Sequence, residues 1–199
     1  MRLEEYKLIF IAVGLIGVLL IATPALSVVV HLPSGERFSE LYVSDSERMA
    51  ENYPYNVAAG ENHSVYVGVG NHVASSAYYV VCVKFRNETD LLPNRTAGIP
   101  SPVQLLYEYR FLIQDGEVWE SLLPFSVSDA SVTVNESLIK MLTINGVAFN
   151  VDKPATWNPN SNVFYYSLLL ELWMYDVQSN SVQYNNRFVD VHLNLTRST

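Results

Sequence analysis

VFYYSLLLELWMYD, residues 163–176, decides the fold, because its 14 residues are long enough for either a helix or a strand. Phe164, Tyr166, Leu168, Leu170, Leu172 and Met174 fall on every second position, and the stretch is rich in aromatic side chains. That alternation predicts a strand with this row turned to a core. The opposite row carries Tyr165, Trp173 and Tyr175. Such a row can stack on sugar rings or meet a partner, unless a loop or second sheet covers it.

Runs of the same kind extend in both directions. Toward the C-terminus, residues 178–181 turn the chain and 187–195 close it, with Val189, Val191, Leu193 and Leu195 inward and Asn194 outward. Toward the N-terminus, Asn145-Gly146 joins the runs 138–144 and 147–151 with the residues that a type I′ hairpin demands. Residues 152–162, containing Trp157 and three asparagines, read as a polar loop. Asp115-Gly116 joins QLLYEYRFLI (104–113) to a run around Trp119, and Pro124 predicts an edge or a bend, followed by short runs at 125–127 and 132–134.

In residues 77–86, Tyr79, Val81, Val83 and Phe85 form an apolar face, with Tyr78, Val80, Cys82 and Lys84 opposite. In residues 64–71, Val65, Val67 and Val69 share one face. Gly68 and Gly70 on the other leave room for a backbone or an aromatic ring to approach. FSELYV (38–43) is the first run of the domain, and the polar stretch 87–102, with three prolines, reads as a long exposed loop. Eight or nine strands at about 8 to 12 residue spacing, without helical crossovers, predict an all-β, antiparallel immunoglobulin-like β-sandwich. The Cys, Trp, Cys signature of true immunoglobulin domains is absent.

Ahead of this domain lies LIFIAVGLIGVLLIATPALSVVV, residues 8–30, which are 23 positions without a charge. About 20 apolar residues cross a bilayer as a helix, so the run predicts one N-terminal transmembrane helix serving as a signal anchor. Ala25-Leu26-Ser27 and Pro24 also suit a cleaved signal peptide, but apolar character continues to Val30. The expected organisation is a cytoplasmic N-terminus (1–7), the anchor (8–30), a linker (31–37) and an extracellular β-sandwich (38–199). Arg2 and Lys7 before the run are nearly balanced by Arg37 and Arg48 after it. The positive-inside rule therefore leaves orientation open. Five Asn-x-Ser/Thr sequons, at Asn62, Asn87, Asn94, Asn135 and Asn194, all follow the run and favour an outside location for the domain.

The net charge of −8 falls wholly after the run, since Arg2 and Lys7 cancel Glu4 and Glu5. An acidic domain repels phosphate backbones, so nucleic acid is not expected as a partner. Cys82 stands alone, excluding an intramolecular disulfide, and it reads as a partly covered thiol. His31, His63, His72 and His192 lack metal-ligand spacing. Glu108, Glu117, Glu120 and Glu171 fall mostly on expected outer faces, and the loop 157–162 lacks the carboxylate cluster that calcium needs. No catalytic residue, metal or cofactor is expected.

FSELYV, AENYPYNVAAGENHSVYVGVGNH, LYEYRFLIQDGEVWESLLPFSV, LELWMYD and NRFVDVHLNLT resemble the archaeal envelope family called "domain of unknown function sixteen-sixteen". The most specific stretch of the match ends at Asn71 and His72, the family-resembling turn. The resemblance implies a membrane protein with an outward-facing β-domain and supplies no catalytic residue; several members have more spans than the one expected here. The expected function is that of an uncharacterised, non-enzymatic, single-pass cell-surface module in contact with the lipid bilayer, other envelope proteins or surface glycans. The alternative is a carbohydrate- or ligand-binding domain using Tyr165, Trp173 and Tyr175, and a secreted hydrolase ranks last.

Overall fold

The computed structural model describes residues 6–7, 10–18, 36–45 and 47–196. The chain divides into two units between Arg37 and Phe38. In the first, residues 10–18 are helical, and the remainder of the expected anchor lies outside the described residues. Among the described residues no helix is long and apolar enough to cross a membrane.

The second unit is built from β1 (Phe38–Ser44), β2 (Asn56–Val57), β3 (Asn62–His72), β4 (Ala77–Asn87), β5 (Leu105–Ile113), β6 (Val118–Val132), β7 (Glu136–Ile144), β8 (Val147–Thr156), β9 (Tyr165–Asp176) and β10 (Ser181–Leu195). Two five-stranded sheets result, in the orders β1-β3-β6-β7-β8 and β2-β10-β9-β4-β5. Neighbours are antiparallel except β2, which runs parallel to the end of β10.

The alternation that predicted β9 is the reason it is a strand. Tyr166, Leu168, Leu170 and Leu172 have no exposed surface and meet Tyr79, Val81, Val83 and Phe85 of β4 in one core. The other sheet supplies Val65, Val67 and Val69 from β3, Leu123, Phe125 and Val127 from β6, and Ile139, Leu142 and Ile144 from β7. A register shift between Ile139 and Met141 resets the alternation on β7, which is how Ile139 and Leu142 both face inward.

Pro124 does not mark an edge or a bend. It lies within the central strand β6, which absorbs the runs expected at 125–127 and 132–134. In an antiparallel strand the N–H and C=O of one residue point to the same side. The Pro124 carbonyl accepts from the Asn145 N–H in the β7–β8 turn, so the missing N–H faces a place where β7 has already ended. The polar loop expected at 152–162 is likewise shorter, because β8 runs through Pro154 to Thr156 on a sheet edge. Asn145 and Gly146 take positive φ, 49° and 77°, as the hairpin requires.

The ring that approaches Gly68 is that of Tyr42 on β1, and a Cβ at Gly68 would collide with it. The Tyr42 hydroxyl donates to Glu120 Oε1 at 3.0 Å, and burial together with that carboxylate pushes its pKa up to about 12. Gly68→Ala should cost about 1–3 kcal/mol by overpacking. The penalty should largely vanish when measured against a Tyr42→Ala background in a urea-denaturation double-mutant cycle.

Candidate functional site

The outer face of β9 carries Tyr165, Ser167, Leu169, Glu171, Trp173 and Tyr175. An outer face ought to be wet, yet Ser167, Leu169 and Glu171 have no exposed surface. The cause is segment 88–104, which lies down on this face instead of standing out as an exposed loop. Within it Ser101 and Val103 are buried, while Leu91 and Ile99 stay in solvent.

Two charged clusters hold the segment in place. Glu171 Oε2 lies 2.8 Å from Lys84 Nζ, and Glu171 Oε1 accepts from the Ser101 N–H at 2.7 Å. Lys84 in turn donates to the Ser101 carbonyl at 2.6 Å, so both backbone groups of one residue are gripped by the two members of a buried ion pair. Trp173 Nε1 donates to Glu171 Oε2 at 3.2 Å. In the second cluster, Arg86 meets Asp190 at 3.1 Å and donates to the Asp90 carbonyl at 2.9 Å. The Asp90 carboxylate accepts from Lys153 of the other sheet at 2.6 Å. Arg95 adds a third hold, donating to the Phe188 carbonyl at 2.9 Å with its guanidinium 4.3 Å from that ring's centroid.

This arrangement redistributes the residues that the sequence singled out. Tyr165 is half-buried beneath Arg86, with its hydroxyl donating to Asp190 at 3.2 Å. Trp173 is half-buried against Tyr184, 5.8 Å between centroids, whereas Tyr175 is exposed and bonds Asn180. Tyr165 and Trp173 are separated by roughly 26 Å of strand at 3.3 Å per residue, so the three aromatics do not form one platform. Glu171, expected on a solvated face, is the most deeply buried carboxylate of the four considered, and no spacing rule joins it to Lys84 on a different strand. Glu108 pairs with Arg110 at 2.6 Å, and Glu120 takes Tyr42 and Arg48. Trp173 also lines a cleft of about 310 Å³ with Val103, Leu105, Glu108 and Arg110.

Asn71 is fully buried. Its Nδ2 donates to the Ser75 and Ile113 carbonyls and its Oδ1 accepts from Tyr79, which ties the β3–β4 turn to the end of β5. His72 stacks on Phe38 at 4.7 Å and lies 3.8 Å from Glu40. His31 lies outside the described residues. Among the described residues no three His, Cys, Asp or Glu side chains gather as a metal site. The loop 157–162 is a turn in which the Asn158 side chain accepts from the Asn160 N–H.

Asn62, Asn94 and Asn135 are exposed. Asn87 and Asn194 are not: Asn87 Nδ2 donates to the Pro154 carbonyl at 2.8 Å, and Asn194 Nδ2 donates to Asn56 at 2.9 Å. Asn194 does not point into solvent, because β2 and residue 164 close over it. Cys82 is buried rather than partly covered, and burial, reinforced by Glu171, pushes its thiol from 9.0 up to about 11.

Residues 32–139 match the family described as "Domain of unknown function (DUF1616)". The chain belongs to this family. The DUF1616 match runs from before β1 into β7, and comparison with curated proteins finds no match. Among solved structures, the chain is similar to a β-glucosidase from Listeria innocua in complex with isofagomine, at 11% identity and a TM-score of 0.39, over 81% of this chain and 16% of that one. It is also similar to Spo0M, a sporulation control protein from Bacillus subtilis, at 12% identity and 0.36, over 78% of this chain and 49% of that one. Likenesses this distant carry no functional argument.

Removing one member of the buried pair leaves the other charge stranded. Lys84→Met and Glu171→Leu should each cost about 3–5 kcal/mol, and the double variant should cost less than either. Denaturation midpoints check the cycle, and hydrogen exchange should show segment 88–104 opening in the single variants.

With its pKa raised, Cys82 keeps its proton in the folded state over a range where the unfolded chain has lost it. The stability this contributes is complete below pH 9.0 and is lost as pH rises toward about 11. The melting temperature should therefore fall across that window, less so in Cys82→Ala, and iodoacetamide at pH 8 should alkylate the native protein far more slowly than the unfolded one.

Proposed function

We propose that this DUF1616 chain is a non-enzymatic surface module that works by contact, a membrane-anchored β-sandwich of immunoglobulin-like type facing the cell exterior. The observation that carries this reading is the use made of buried charge. Lys84, Arg86, Glu171 and Asp190 are paired with one another and hold segment 88–104 against the sheet, so the domain's strongest electrostatics rigidify a surface. The location draws support from the uncharged run 8–30 and from the three sequons that project from the folded domain. The sandwich type draws support from the strand order. The first segment splits, β1 joining β3 in one sheet and β2 joining β10 in parallel in the other, as in Greek-key immunoglobulin-like domains.

A second reading, a ligand-binding domain, is favoured by the cleft beside Trp173. A glycan array separates the two, since binding abolished by Trp173→Ala would select the second.

The full chain, expressed in cells that N-glycosylate exported proteins, should stay in carbonate-washed membranes and be cut by protease added to intact cells. Glycans should be found by mass spectrometry at Asn62, Asn94 and Asn135 and not at Asn87 or Asn194. Recovery from cytosol without glycans would overturn the location.

A further inference from the structure

Strand β5 ends its sheet, and among the described residues nothing pairs with its outer edge. Open edges invite strand addition, and proteins usually blunt them with proline, bulges, brevity or isolated charge. The edges at β2 and β8 are blunted, since β2 has two residues and β8 carries Lys153 and Pro154. β5 has nine residues, LLYEYRFLI, without proline or glycine; its bulge is confined to Leu106 near one end, and its two charges are already paired with each other at 2.6 Å. It is also held rigid from beneath. Tyr109 donates to the Leu122 carbonyl at 3.1 Å, and Phe111 stacks on Trp119 with centroids 3.8 Å apart.

The sequence of this edge is close to a palindrome about Tyr109. A bulge at Leu106 turns that residue inward beside Tyr107, so the outer row reads Leu105, Glu108, Arg110, Leu112, and the inner row reads Leu106, Tyr107, Tyr109, Phe111, Ile113. Two copies run antiparallel across a two-fold axis at Tyr109 would set Glu108 opposite Arg110 twice, with Leu105 and Leu112 meeting at the two ends of the shared outer row. The in-chain pair and its image would then form four alternating charges. Leu105 and Leu112, 43% and 68% exposed in the single chain, would gain apolar neighbours across the axis. Neighbouring registers fail. A slip of one residue sets outer side chains against inner ones, and a slip of two sets either Glu108 or Arg110 against its own copy.

We infer that β5 is a self-association edge, through which a second copy of this chain adds in antiparallel fashion to make one continuous ten-stranded sheet from two five-stranded ones. The inference goes beyond the proposed function and holds wherever the domain resides, because it depends on the edge alone.

The test is sedimentation equilibrium of the full chain in detergent, across a concentration series, with circular dichroism confirming the fold of each variant. The unmodified chain should dimerise. Glu108→Arg or Arg110→Glu, which set like charges across the axis, should weaken the dimer on the order of tenfold or more. The combined swap, which restores alternation, should return the dissociation constant to that of the unmodified chain. In a Cys82→Ala background, Leu105→Cys with Leu112→Cys should yield a disulfide-linked dimer on mild oxidation. A chain that is monomeric throughout, a dimer indifferent to the single charge changes, or a combined swap as weak as either single variant would overturn the proposal.

Discussion

A carboxylate with none of its surface in water occupies the middle of the outer face of β9, and the rest of that sheet is arranged around it. Left alone, a buried ion of this kind costs several kcal/mol. Lys84 on the adjacent strand and the Ser101 N–H supply the opposing charge and the hydrogen bond that make it tolerable. Because Lys84 also takes the Ser101 carbonyl, the pair cannot form well unless segment 88–104 is in place, and the segment has no other comparable grip at that point. Sheet and cover are thus mutually dependent, and the apolar residues beneath, from Leu168 to Leu172, are shielded on both sides.

That dependence divides the domain's surface. Over β9 and β10 the outer face is closed by a segment whose backbone is anchored at Ser101 and Asp90 and whose Arg95 side chain holds the Phe188 carbonyl. At β5 the same sheet stops with an edge that no described residue pairs, stiffened by the aromatic stack of Phe111 and Trp119. The aromatic side chains of β9 belong mostly to the closed region, where Tyr165 and Trp173 bond Asp190 and Glu171. The broad face that the aromatics marked in the sequence is therefore largely covered.

Much of the fold was legible because alternation is a local property. Val65, Val67 and Val69, the row Tyr79 to Phe85 and the row Tyr166 to Leu172 all turned inward as their spacing implied. The Asn145-Gly146 hairpin follows from backbone sterics alone. What escaped were properties set by neighbours distant in sequence. Pro124 reads as an edge only if one does not know that β7 turns away beside it. The 88–104 segment reads as solvated because its composition is polar, although a polar backbone can be buried wherever charges are waiting for it. The Asn194 triplet looks accessible until β2 is seen to pair beyond it. Lys84 and Glu171 carried no mark of their pairing, since nothing in either strand's own sequence announces the other.

The parallel pairing of β2 with the end of β10 gives the domain a mechanical character. Asn194 N–H donates to the Tyr55 carbonyl at 2.7 Å and Thr196 N–H to the Val57 carbonyl at 2.8 Å, with the Asn194 and Asn56 side chains bridged between them. Tension applied between the chain just ahead of β2 and the chain beyond β10 would drag these two strands past each other lengthwise. Their bonds would then resist together, as a lap joint does, instead of unzipping one after another.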